Sequence, residues 1–379
     1  MDLGEIALLA FEFKFYNDPM SSLLIAFFAS FVTTILVIRS QKLHQRFTAD
    51  LDLNGPQKFH KTAVPRIGGL GIAFGLTLAI LYHFNLQAVA NEELFMLLCA
   101  APVFAIGLLE DLTKKISVRT RLIFTALGAF LAIYFLGTQI IRLDIPGIDL
   151  LLLLSPISIV FSVFAITGLI NAYNIIDGFN GLSSMVGMIT LLALGYVAIQ
   201  VNDPLITYLS FSMVAAILGF FIWNYPRGLI FLGDGGAYLI GFWIATLSVL
   251  IVARHLEISP WFAVLINAYP ISETIFTIYR RKFHQKKSTG HPDGIHFHSL
   301  IFRRLLNHTQ IKSEHDFFSA NAKTSPYLWV LSAFAAVPAV LYWNSTPLQV
   351  IFSLLFASSY VWLYKRIVSF RIPRWMHIE

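Results

Sequence analysis

Apolar runs about as long as a bilayer is thick follow one another along most of this chain, separated by short polar stretches. A helix rising about 1.5 Å per residue needs about 20 residues to cross the hydrocarbon. Windows of that length fall on about eleven stretches, near residues 21–38, 67–84, 93–109, 121–136, 150–170, 182–200, 205–223, 235–253, 260–279, 326–343 and 347–364. Lipid offers no partner to backbone N–H and C=O groups, so such stretches must close their hydrogen bonds internally, as helices. The pattern implies an all-α polytopic integral membrane protein with about eleven transmembrane helices. Composition agrees, since 57% of the 379 residues are hydrophobic and only 13% are charged, too little polar surface for a soluble body of this size.

The basic residues orient the spans. With the N-terminus outside and the C-terminus cytoplasmic, only Lys14, Arg142 and Arg254 of the 27 Lys and Arg fall outside. That asymmetry is the one expected of multi-span proteins. The net charge of +6 therefore reads as topology and contact with anionic head groups, and not as nucleic-acid binding. Asp2, Glu5, Glu12 and Asp18 against Lys14 are the wrong charges for a secretory signal, so the first apolar run is expected to remain as a span. Cys99 is the single cysteine and excludes an intramolecular disulfide. With no internal repeat, residues 1–379 read as a single membrane-embedded domain with a cytoplasmic loop over about 280–325.

Under this topology five polar stretches share the cytoplasmic side: "KFHKTAVPRIGGLG" from Lys58, "GLLEDLTKKISVRTR" from Gly107, "NAYNIIDGFNGL" from Asn171, "WNYPRGLIFLGDGGAY" from Trp223 and "GHPDGIHFHSLIFRR" from Gly290. A carboxylate at the end of a span costs free energy unless it meets water, a partner or a ligand. Glu110, Asp111, Asn174, Asp177 and Asp234 thus point to one site. Neighbouring carboxylates repel and call for a cation. Oxygen-only donors suit Mg²⁺, which takes one or two protein carboxylates together with substrate phosphates. Two simpler readings stand beside this one: Glu110 and Asp111 pair with Lys114 and Lys115 at helical spacing, and Asp234 is an ordinary helix N-cap. The glycines around Asp234 are expected to let backbone N–H groups approach an anion. His296 and His298, beside Arg303 and Arg304, read as a cradle for a negatively charged substrate, since no Cys or Glu-His pattern completes a zinc site.

The order and separation of "ED" at Glu110, "NxxNxxDGxxGL" from Asn171, "FLGDGG" from Phe231 and "HFH" from His296 resemble the polyprenyl-phosphate N-acetylhexosamine-1-phosphate transferases, glycosyltransferase family 4. That family includes bacterial undecaprenyl-phosphate GlcNAc-1-phosphate and phospho-N-acetylmuramoyl-pentapeptide transferases. The resemblance implies a Mg²⁺-dependent enzyme, with Mn²⁺ as the alternative ion, in the bacterial inner membrane. It would transfer a HexNAc 1-phosphate, with UDP-GlcNAc the leading donor, to undecaprenyl phosphate, releasing UMP and starting a lipid-linked envelope polysaccharide. Carried over by motif, Asp234 and Asn174 would be metal ligands. Asp111 with Glu110 would orient or deprotonate the lipid phosphate. Asp177, Asn171 and Asn224 would contact the donor, and His296, His298 and Arg303 would grip its diphosphate or sugar. Lys58 and His60, with Arg66, match the family's basic region after the first span.

Three positions depart from the family pattern. Glu110 stands where Asp is usual, Asn180 where many relatives have a second Asp, and Ser299 where the muramoyl-pentapeptide branch has a further His. The rival class is an ion-coupled transporter, whose site would lie near the midplane between repeated halves. Here the acidic motifs share one face and no two halves look alike. A homodimer and a monomer are both compatible with the pattern.

Overall fold

The computed structural model describes residues 3–48, 64–87, 91–285, 295–306 and 314–369. Lys58 and His60 lie outside the described residues. The chain runs through α1 (Leu3–Arg39), α2 (Gln41–Thr48), α3 (Gly69–Gln87), α4 (Glu92–Thr113), α5 (Val118–Leu136), α6 (Ile148–Leu152), α7 (Ser155–Ile176) and α8 (Leu182–Gln200). It continues through α9 (Pro204–Asn224), α10 (Gly233–Arg254), α11 (Pro260–Ile266), α12 (Ala268–Tyr279), α13 (Phe297–Ile301), α14 (Glu314–Leu341) and α15 (Thr346–Val368). Among the described residues no strand is present, and nine helices are long and apolar enough to cross a membrane.

Two of the expected spans differ from that simple form. The stretch expected as one span over 150–170 begins with the separate short helix α6, and α7 takes up after Leu154. The stretch expected over 260–279 is two helices, α11 and α12, meeting at a 76° bend. Asn267 explains the break. Its side chain is fully buried, and its amide donates to Ala263 O at 2.9 Å and to Ser248 Oγ at 3.2 Å while its carbonyl accepts from the Tyr173 hydroxyl at 3.1 Å. These bonds close the end of α11 and tie it to α7 and α10. Pro270 falls in the first turn of α12, where its missing N–H costs nothing.

Helix α10 is the axis of the bundle, buried almost throughout and packed against α3, α4, α7 and α8. Its first turn is approached very closely. A Cβ on Gly107 of α4 would lie 2.6 Å from Gly235 Cα, and one on Gly69 of α3 would collide with the Gly236 backbone. Without side chains at these crossings the three helices meet backbone to backbone, the arrangement small residues allow inside membranes.

The far end of α10 is tied by charge. Asp203 caps α9 by accepting from Ile206 N at 3.0 Å, and its other oxygen takes Arg254 Nε at 2.8 Å and His255 Nε2 at 2.9 Å. Arg142 donates to the carbonyls of Leu256 and Ile258 at 2.9 and 2.6 Å. Arg142 and Arg254, two of the three basic residues that the charge pattern sets apart, thus share the end of the bundle opposite Asp234.

Candidate active site

Backbone pairing places the first basic group. Phe231 N–H donates to Pro65 O at 2.8 Å, and Gly68 and Gly69 N–H donate to Phe231 and Leu232 carbonyls, both at 2.9 Å. This short ladder holds Arg66 beside the start of α10. The connection into that helix passes through Gly233 at φ 78°, a left-handed conformation that suits glycine. A Cβ there would also lie 2.6 Å from Asp111 Oδ2.

The carboxylate that meets the N-terminus of α10 belongs to the protein itself. Asp111, at the end of α4 and 2% exposed, accepts from Asp234 N–H and Gly235 N–H, each at 2.9 Å. Two N–H groups of the GDGG stretch thus face Asp111, which has both oxygens engaged at the helix start. A carboxylate at a helix N-terminus is favoured by both the exposed N–H groups and the dipole. Glu110 is likewise drawn into the fold, accepting from Ile116 N–H at 2.8 Å and closing the turn between α4 and α5.

Asp234 faces the other way. Arg121, on the first turn of α5, donates to its Oδ2 at 2.7 Å, and Arg66 lies 3.6 Å from its Oδ1. Arg66 is also within electrostatic reach of Asp111 and Asp177. One turn along α10, the hydroxyl of Tyr238 reaches Asn174 and Arg121. The ends of α4, α7 and α10 therefore bring together Asp111, Asp177 and Asp234 with two guanidinium groups. Arg121 and Tyr238 were not singled out by motif; the only sequence signal for Arg121 is a basic residue ten positions after Asp111.

Asp177 ends α7 and is half-buried. Burial pushes its carboxyl up to about 7; Arg66 opposes the shift and Asp234 adds to it. Because the folded value lies above the ordinary carboxylate value, the native state holds a proton that the unfolded chain has released, and this contribution to stability declines as pH rises through the window up to about 7. Asp177→Asn is accordingly expected to raise Tm more at pH 8 than at pH 5 relative to the parent protein. A Tm difference that is flat between those pH values would contradict it.

The remaining expected residues divide. Asn171 donates to Thr167 O of its own helix at 2.8 Å. Asn224 is buried, accepts from Gly181 N–H at 2.6 Å and donates to Ile230 O at 2.7 Å, so its amide braces the loops on either side. Asn180 is a brace as well: its backbone carbonyl accepts from Ser325 Oγ at 2.6 Å and its side-chain amide donates to Pro226 O at 3.3 Å. His298 packs against the chain beside Asp177: a Cβ on Gly178 would lie 2.7 Å from its Nε2. His296 is stacked on His298, with centroids 5.2 Å apart and planes at 19°. Arg303 is exposed, whereas Arg304 donates to the carbonyls of Ile367 and Val368 at the end of α15. The acidic cluster and the histidines thus meet at the C-terminal end of α7.

Residues 94–252 match the model for glycosyl transferase family 4, a stretch that runs from α4 to the end of α10 and contains all three aspartates. An undecaprenyl-phosphate alpha-N-acetylglucosaminyl 1-phosphate transferase of Thermotoga maritima is 31% identical over 280 residues, covering 74% of this chain and 80% of the relative. The chain belongs to glycosyl transferase family 4. An enzyme of the same name from Haemophilus influenzae is 28% identical over 368 residues, 94% of this chain and 96% of its own. A phospho-N-acetylmuramoyl-pentapeptide-transferase of Streptococcus thermophilus is 26% identical over 339 residues, 84% of this chain and 96% of its own. This family 4 protein is therefore a multi-pass membrane transferase of the phosphotransferase type, and such enzymes depend on a divalent metal ion.

Proposed function

We propose that this protein transfers N-acetylglucosamine 1-phosphate from UDP-GlcNAc to undecaprenyl phosphate on the cytoplasmic face of a bacterial inner membrane. A lipid phosphate oxygen attacks the phosphorus that carries the sugar, the bond to the other phosphate breaks, and UMP leaves. The observation that carries this reading is the convergence of Asp177, Asp234, Arg66 and Arg121 at the ends of α7, α10 and α5 in a family 4 chain. Two anionic substrates must be brought together, and fixed cationic and acidic groups provide the needed neutralisation and orientation.

The donor set suits Mg²⁺. Asp234, Asp177 and the Asn174 amide offer oxygen, and Arg66 and Arg121 already supply positive charge where a cation would sit between the carboxylates. Asp234 and Asn174 would hold the ion, which when bound withdraws charge from the diphosphate. With substrate present, Arg121 and Arg66 turn from Asp234 to the phosphates. Asp111 keeps the start of α10 in place, and His296, His298 and Arg303 bind the donor.

The asymmetry of Lys and Arg supports eleven spans, counting α3 and the bent pair α11–α12, with the site end facing the cytoplasm. One experiment tests reaction and orientation together. Membrane vesicles of both orientations, loaded with undecaprenyl phosphate, are given a panel of UDP-sugars that cannot cross the bilayer. UMP release with UDP-GlcNAc in inverted vesicles alone is expected. Release confined to right-side-out vesicles would overturn the orientation, and no release with any donor would overturn the activity.

A further inference from the structure

Helix α12 carries one carboxylate in an otherwise apolar stretch, and neither the acidic cluster nor the helix packing accounts for it. Glu273 is fully buried. Its Oε1 lies 2.9 Å from His296 Nδ1, its Oε2 accepts from the Tyr360 hydroxyl at 2.8 Å, and both oxygens lie 3.3 Å from Phe297 N–H. A buried ionised carboxylate is costly unless its lone pairs are met in this way. The donors come from the loop helix α13 and from α15, so Glu273 fixes where the histidine segment sits against the bundle. The orientation passes on from there: His296 lies flat on His298, and His298 presses on Gly178, the residue next to Asp177.

We infer that Glu273 is a positioning residue for donor binding, one that accepts the Nδ1 proton of His296, sets that ring over His298 and leaves its Nε2 to meet the donor. The inference rests on the donor-binding role given above to the histidines. Its chemical logic is that of a carboxylate behind an imidazole. A proton held on Nδ1 leaves Nε2 as the ring atom that meets a ligand. The His296 side chain retains 7% of its surface. The titratable and charged groups around it are His298 on the same segment, Tyr269, Glu273 and Arg280 on α12 and its continuation, and Tyr360 and Tyr364 on α15. Among the described residues only Glu273 bonds the ring through a carboxylate.

The test uses the full-length protein and Glu273→Gln, which keeps shape and an acceptor but removes the charge. If Glu273 holds the ring for the donor, Glu273→Gln is expected to raise KM for UDP-GlcNAc severalfold while KM for undecaprenyl phosphate stays unchanged. The rise should vanish in a His296→Gln background and should not appear in Tyr360→Phe, which removes a bond to the same carboxylate but leaves its charge. A donor KM that stays in place while Tm drops would make Glu273 a packing residue and overturn the inference. A readout independent of turnover is the ¹⁵N spectrum of the histidines in the parent protein, with His296 assigned by its loss in His296→Gln. A proton on Nδ1, whether or not Nε2 also carries one, supports the inference, even where Glu273→Gln does not fold. A neutral ring with its proton on Nε2 alone overturns it. Absence of UMP release by the parent protein with every donor would instead count against the proposed reaction, and leaves the tautomer measurement to decide on Glu273.

Discussion

Asp234→Asn is expected to lower turnover about a hundredfold or more while the protein remains folded, the loss typical when a charged group that stabilises a transition state is neutralised. Asp234 is the carboxylate of the cluster that two guanidinium groups face, Arg121 at 2.7 Å and Arg66 at 3.6 Å. Replacing it with an isosteric amide changes little volume, so helix packing is retained. The charge between the two arginines is lost, and with it the carboxylate proposed to hold a divalent ion. The comparison that gives this meaning is Asp111→Asn. There the side chain accepts from two backbone N–H groups, and an amide can accept through one atom only, turning an NH₂ group toward the other donor. Asp111→Asn should therefore show its effect first in Tm, and Asp234→Asn in kcat with Tm little changed. Turnover in Asp234→Asn above half that of the parent protein at low Mg²⁺ would remove Asp234 from the reaction.

Gly107→Ala should be nearly as damaging although it touches no charged group. Its methyl would lie 2.6 Å from Gly235 Cα and 2.8 Å from the Asp234 carbonyl carbon, so α4 and α10 have to separate. Overpacking of this kind costs roughly 1–3 kcal/mol, occasionally more. The separation also falls on the two bonds from Asp111 to the start of α10, so activity should fall along with Tm. Gly168→Ala is the control, because a Cβ there meets nothing within 4 Å. If Gly107→Ala retains the parent Tm and turnover, the close crossing does not limit either one.

The helices were legible in the sequence because the bilayer imposes one length scale and one rule about backbone hydrogen bonds, and apolar runs obey both. The meeting of Asp177 and Asp234 was legible for a related reason, since charge topology places the ends of their helices on one side. The direction in which each carboxylate faces was not. Glu110 and Asp111 are adjacent in sequence, yet one closes a turn and the other caps a helix more than a hundred residues away, and spacing carries no information about either partner. The break at Asn267 was hidden because residues 260–279 read as one apolar run, and a single Asn scarcely alters that pattern. Glu273 could have been found. A lone carboxylate inside a span is itself a signal, but its partner His296 lies 23 residues away, beyond any local Glu-His pattern.

The bend at Asn267 has a mechanical consequence. Its amide is bonded to α7, α10 and α11, which makes it a fulcrum, and α12 is the arm, about 18 Å long at about 1.5 Å per residue. A rotation of about 5° at the fulcrum would sweep the Tyr279 end through about 1.6 Å but Glu273, half-way along, through only about 0.8 Å. The arm's tip leads to the basic loop and its middle holds the histidine. Such a rotation would therefore reach His296 at half the amplitude it has at the Tyr279 end.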